Sequence, residues 1–142
     1  MTAGTAVVIA LAAPAAGSED ASTSPVDHAA SVAHHVDEPL AVHDYLLSCG
    51  GCHKLDGRGS VHVPPLRGVD RLLAHAGGRA YVLRVPGVTQ APLSDARLAA
   101  LLNWVFAEFG SGVPTPRFSA AEVAAGRAEA FVDPRAARAA LR

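Results

Sequence analysis

The stretch "YLLSCGGCHKLDGRG", Tyr45 to Gly59, holds the only two cysteines of the chain, Cys49 and Cys52, with His53 directly after the second. No other feature restricts the possible folds as much. Two sulfurs three positions apart stand about one helical turn from each other, and an imidazole follows at once, so the segment reads as a clasp. Three chemistries use clustered thiols and imidazole in this way: a zinc ion, a reducible dithiol and a covalently attached haem. The elements around the clasp bear on the choice.

Upstream, "PLAVHDYLLSCGG" carries Leu40, Tyr45, Leu46 and Cys49 at spacings near one helical face, and its two glycines stop the helix inside the motif. "LDGRGSVHVPPLRG", Leu55 to Gly68, has the glycines and prolines of a loop. Short helical stretches are expected over Asp70–His75 and Arg79–Val85. The clearest helix is "LSDARLAALLNWVFAEFG": Ser94 is a good N-cap, Asp95 favours the positive end of the dipole, and Gly110 closes it. Leu98, Leu101, Leu102, Val105 and Phe109 form its apolar stripe. Beyond Pro116, Ser119 and Glu122 have the spacing of a capping box, and Asp133 with Pro134 opens a further helix. No stretch reads as a strand, so the fold class expected is all-α.

A chain of 142 residues is enough for one domain with a modest core. The formal net charge of −1 hides a segregation: six acidic residues and no Lys or Arg precede Tyr45, while seven acidic and twelve basic residues make up the rest, a balance of +5. "AVVIALAA", Ala6 to Ala13, followed by Ala13-Pro14-Ala15, has the form of an export signal, although no Lys or Arg precedes it. Residues 1–16 are therefore expected to be a signal peptide and the mature protein periplasmic. The run is too short to span a bilayer, which takes about 20 apolar residues. Residues 17–38 are polar and without periodicity, an expected disordered linker. It contains His28, His34 and His35, for which low complexity is a better account than metal collection.

With that context, the clasp can be weighed. Zinc normally takes four ligands, whereas Cys49, Cys52 and His53 supply three at an unusual spacing. A thioredoxin-like dithiol expects a βαβ setting. C-x-x-C-H is the attachment signature of c-type haem: two thiols bond two vinyl groups on one edge of the porphyrin, and the next residue brings its imidazole to the iron. Haem c, one per chain, is the cofactor this reading requires, with His53 as axial ligand.

From about Ala41 to Phe109 the chain resembles the class I monohaem cytochrome c family. Tyr45, four residues before Cys49, stands where that family carries an aromatic on its first helix. "VPPLRG" is similar to the family's Gly-Pro-x-Leu-x-Gly loop, and "LSDARLAALLNWV" to its final helix, with Trp104 in place of a tyrosine. The resemblance implies a cytochrome c-like fold over residues 39–110, three to four helices around the haem, followed by a helical extension over 111–142. It implies that the Pro64 carbonyl accepts the His53 ring N–H, a contact that fixes the tautomer and raises ligand basicity. Leu66, Val85, Leu98 and Arg79 are expected around the haem, Arg79 as a partner of the propionates, with Arg67 and Arg84 near by.

One departure is decisive for the chemistry. The family's second iron ligand is a methionine ahead of the last helix, but "VPGVTQAPLSD" places Val85 there, and Met1 is the only methionine in the sequence. The order of expectation is an open or weakly occupied iron face, then His75, then His62 as sixth ligand. Two functions follow. The first is a non-enzymatic carrier of single electrons, whose basic rim meets an acidic periplasmic redox protein such as a dehydrogenase or terminal oxidase. The second is an open haem face that binds nitric oxide, carbon monoxide or peroxide, as a sensor or weak peroxidase. Only Thr89 and Gln90 offer polar side chains in the stretch that replaces the methionine loop, without the His/Arg pair that O–O cleavage uses. The carrier is therefore preferred. Nothing in the sequence points to nucleic acid or to a stable membrane span.

Overall fold

The computed structural model describes Met1 and residues 38–114 and 116–141. The expected signal segment beyond Met1, and the linker up to residue 37, lie outside the described residues. What is described is all-α: among these residues there is no strand, and no helix is long and apolar enough to cross a membrane.

Helix α1 is described over residues 38–48, and α2 (Gly50–His53) follows after a break at Cys49. A 3-10 helix (Val69–Ala74), α3 (Gly78–Arg84) and a single turn α4 (Pro86–Thr89) lead to α5 (Asp95–Phe109), with α6 (Ala120–Arg127) and α7 (Pro134–Ala139) closing the chain. The caps behave as the sequence suggests. Ser94 Oγ accepts the Arg97 amide at 3.3 Å, Ser119 and Glu122 form a complete capping box, and Asp133 accepts the amides of Arg135 and Ala136, both at 2.9 Å. The helix expected over Asp70–His75 is a 3-10 helix over Val69–Ala74, with His75 extended at its end. Gly68 enters it left-handed (φ 71°), and the tighter i→i+3 pattern follows, with the His75 amide on the Leu72 carbonyl. The turn α4 has no counterpart in the sequence reading; Pro86 starts it after an extended Val85.

Two crossings set the architecture. The first joins α1 to α5 through aromatic rings: Tyr45 lies 5.3 Å from both Trp104 and Phe109, centroid to centroid, and Trp104 meets Phe109 edge-on at 5.8 Å. Beside them the buried Asp44 carboxylate takes both Nε and an Nη of Arg97, which ties α1 to the start of α5. The second crossing buries another face of α5 under α6. Of the expected stripe, Leu98, Leu101, Leu102 and Val105 are buried and Phe109 is half-buried, while Ala99, Asn103 and Phe106 are buried as well. Phe118 and Val123, from beyond residue 111, belong to the same core. The residues expected as an appended helical extension thus share the core of the helices before them.

Three arginines fasten this extension. Arg79 forks onto Glu122 at 2.8 and 3.0 Å, donates to the Pro116 and Arg117 carbonyls at 2.9 Å each, and stacks on Phe118 with its guanidinium carbon 4.1 Å from the ring centroid. Arg84 donates to the Glu129 carbonyl at 2.7 Å and lies over Phe131. Arg127, on α6, donates to the carbonyls of Ala91 (2.6 Å), Leu93 (2.8 Å) and Thr89 (3.3 Å), and to Asp95 at 2.8 Å. It therefore pins the whole segment between α4 and α5. A planar fork with five donors suits such a bundle of acceptors better than an ammonium would.

Candidate functional site

The clasp is built where α1 ends. The Cys49 amide still bonds back to the Tyr45 carbonyl at 2.9 Å, and the Cys49 carbonyl accepts the amides of Cys52 (3.2 Å) and His53 (2.9 Å). This places both cysteines and His53 on one short turn. Both thiols are free; Cys49 is half-buried and Cys52 exposed. Burial pushes the Cys49 thiol up, and the neighbouring Cys52 and Asp44 push it the same way.

His53 is fixed by the loop that follows. Its Nδ1 lies 3.0 Å from the Pro64 carbonyl. A carbonyl can only accept, so Nδ1 carries the proton and Nε2 is left with its lone pair. Burial lowers the His53 pKa and the Pro64 bond opposes it, so the net shift favours the neutral ring. The loop turns back to reach His53 through close backbone contacts. Gly59 donates to the His53 carbonyl at 2.9 Å, Ser60 to the Val63 carbonyl at 2.8 Å, and Leu66 to the Gly57 carbonyl at 2.8 Å. Gly59 sits at φ 70°, with the Val63 and Pro64 carbonyls packed where a Cβ would project, so only glycine fits.

Directly after His53, Lys54 has φ 69° and ψ 158°, a conformation nearly confined to glycine. Two bonds to its carbonyl hold it there: the Tyr45 hydroxyl at 2.6 Å and the Gly57 amide at 3.1 Å. The phenol of Tyr45 is pushed up to about 12, chiefly by burial and then by Cys49 and Asp56, and so remains a donor.

The other candidate residues divide. Leu66 is half-buried against the core, Leu98 is buried in it, and Val85 is half-buried at the joint of α3 and α4. His62 is exposed in the turn that Ser60 caps. His75 lines a cleft with Arg67, Arg71 and Arg138, and none of Cys49, Cys52 or His53 lines it. Arg79 is engaged by Glu122, by the Pro116 and Arg117 carbonyls and by the Phe118 ring, because the extension packs over it. Arg84 is drawn off in the same way by Glu129 and Phe131, and Arg67 bonds the Asp56 carbonyl at 2.8 Å. The Thr89 hydroxyl turns back to the Pro86 carbonyl at 3.4 Å.

Two residues that matter were not singled out in the sequence. Asn103 exchanges hydrogen bonds with the Phe118 backbone, at 2.9 and 2.8 Å. A buried-side amide among the leucines of an amphipathic helix was the available signal. Arg127 gave none, because its partners are main-chain carbonyls about 30 residues or more away in sequence. Among the described residues no three His, Cys, Asp or Glu side chains converge as the ligands of one ion would. Comparison with protein-family models, with curated proteins and with solved structures finds no match to this chain.

Proposed function

We propose that this chain is a periplasmic c-type cytochrome of the cytochrome c fold, with one haem held by thioether bonds at Cys49 and Cys52 and by His53 on the iron. In this reading it carries single electrons to or from a redox partner such as a dehydrogenase or terminal oxidase. The observation that carries the reading is the His53–Pro64 bond. It leaves an unprotonated Nε2, one residue after a C-x-x-C pair of free thiols, which is the donor set an axial imidazole beside two thioethers needs. When bound, the haem supplies a one-electron couple at its iron. The protein's part is to fix the imidazole tautomer through Pro64, to hold the turn through Tyr45 and Gly59, and to keep both sulfurs on one short segment.

The dithiol alternative is less well supported. Reactive cysteines have lowered pKa values, whereas the surroundings of Cys49 raise its own. Zinc would need its ligands to meet at one point, and among the described residues no such set gathers around the clasp. The open-face alternative, with a small ligand, is less well supported: Thr89 is bonded within its own turn and Arg127 is engaged by backbone carbonyls, which leaves Gln90 as the polar side chain of that stretch.

The test is expression of the full chain with a haem-attachment system, followed by denaturing electrophoresis and haem staining. Haem should stay with the polypeptide, Cys52→Ala should weaken that retention, and His53→Ala should change the spectrum while leaving attachment. Release of haem on denaturation, or one zinc per chain in its place, would refute the proposal.

A further inference from the structure

We propose that the cleft between residues 65–68, the 3-10 helix and α7 binds a small organic phosphate monoester. The cleft encloses about 290 Å³. Arg67, Arg71, His75 and Arg138 line it, with Leu72 and Leu141 among its apolar walls, and among the described residues no acidic side chain takes part. Like charges drawn together without counter-charge repel. Here Arg71, on the 3-10 helix, and Arg138, on α7, come from distant parts of the chain, yet neither has an acidic partner among the described residues. Arg67 alone is partly neutralised, 3.5 Å from Asp56.

The guanidinium groups are also placed rather than loose. Arg71 lies back across Gly68, where a Cβ would come within 3.3 Å of its Nε. Arg138 stands over the Tyr81 ring at 6.0 Å, within the range of a cation–π contact. Three guanidiniums call for more charge than one carboxylate brings. A phosphate monoester carries roughly −2 and three strong acceptor oxygens, which planar forks bind two at a time. The volume is at the small end of ligand pockets, with room for the phosphate and a short carbon body against Leu72 and Leu141. This site is separate from the clasp, although the loop that gives Pro64 to His53 gives Pro65 and Arg67 to the cleft.

Titration calorimetry of the full chain at low ionic strength, with phenyl phosphate, inorganic phosphate and phenol as probes, tests the proposal. Phenyl phosphate should saturate a single site, inorganic phosphate should bind more weakly, and phenol should not bind. Arg71→Gln and Arg138→Gln, both at exposed positions that leave the core intact, should each weaken phenyl phosphate by about tenfold or more. Arg135→Gln, on α7 but outside the cleft, should leave it unchanged. Absence of saturable binding would overturn the proposal. So would equal weakening by Arg135→Gln, which would mark mere charge attraction, or equal affinity for inorganic phosphate, which would mark a bare anion site.

Discussion

His53 depends on a neighbour that cannot titrate. The Pro64 carbonyl keeps the proton on Nδ1, and it is held in reach by a loop that closes only because Gly59 has no Cβ. Gly59→Ala should therefore cost at least about 2 kcal/mol, from the left-handed backbone and the contact with the Val63 and Pro64 carbonyls. It should also release the ring, which nitrogen NMR of the imidazole would register as a mixture of tautomers. Lys54 is the opposite case. Its φ of 69° with ψ of 158° is strained for a side chain, and Lys54→Gly should stabilise the protein by about 1 kcal/mol in urea unfolding, after allowance for glycine's extra freedom when unfolded. Tyr45→Phe removes the hydroxyl that restrains the Lys54 carbonyl, so it should lower stability in wild type more than in Lys54→Gly. Additive losses would show that the two residues are not coupled.

At the scale of elements, α6 is the piece on which the fold turns. It reaches α3 through Glu122 and Arg79, the segment after α4 through Arg127, and α5 through Val123 and Asn103's grip on Phe118. The Glu122 carboxyl is held down to about 2, first by the fork of Arg79 and then by Ser119, with burial opposing. Protonation is thus easier in the unfolded chain than in the folded one. The contribution of this contact is complete above pH 4.5 and is lost as pH falls from there toward 2. Limited proteolysis across that window should show cleavage between α5 and α6 rising as pH drops, and Glu122→Gln should flatten that part of the profile. Arg127→Ala leaves the carbonyls of Ala91 and Leu93 without their donor and should cost about 2–3 kcal/mol. Arg127→Lys should recover only part of it, since one ammonium cannot span three carbonyls. Phe118→Ala should be worse, about 3–5 kcal/mol by urea unfolding, a large share of what a domain of this size holds.

For the molecule as a whole, what the sequence displays is local. The helix from Ser94 to Gly110, the capping box at Ser119, the cap at Asp133 and the clasp itself are each specified by residues a few positions apart, so they can be read before any fold is known. The unity of the core is not local. Phe118 and Val123 lie in the stretch expected as a helical extension, and nothing near them in sequence indicates that α5 keeps a second apolar face into which they are buried. Arg79 looked available to a cofactor for the same reason: its partners lie about 40 residues downstream.

That missing methionine yields the prediction that composition carries furthest. Met1 is the only one in the sequence, and the residue at the corresponding place, Val85, sits half-buried and extended between α3 and α4. If haem is attached as proposed, the oxidised protein should lack the weak near-infrared band of sulfur-to-iron(III) bonding. His75 faces the arginine cleft and His62 an exposed turn, so neither is held toward the clasp. The ferrous form should accordingly be high-spin and take carbon monoxide without first displacing a protein ligand. A low-spin ferrous spectrum with slow carbon monoxide binding, both abolished by His75→Ala, would instead assign His75 to the iron and require the cleft wall to open. Val85→Met tests the register from the other side. Arg127 fixes the stretch from Thr89, the end of α4, to Asp95, the start of α5, by four hydrogen bonds, so a thioether introduced at Val85 would be presented from a rigid support. A low-spin spectrum with a raised potential, as thioether ligation of haem iron produces, would locate the open face of the iron beside Val85. An unchanged spectrum would place that face elsewhere.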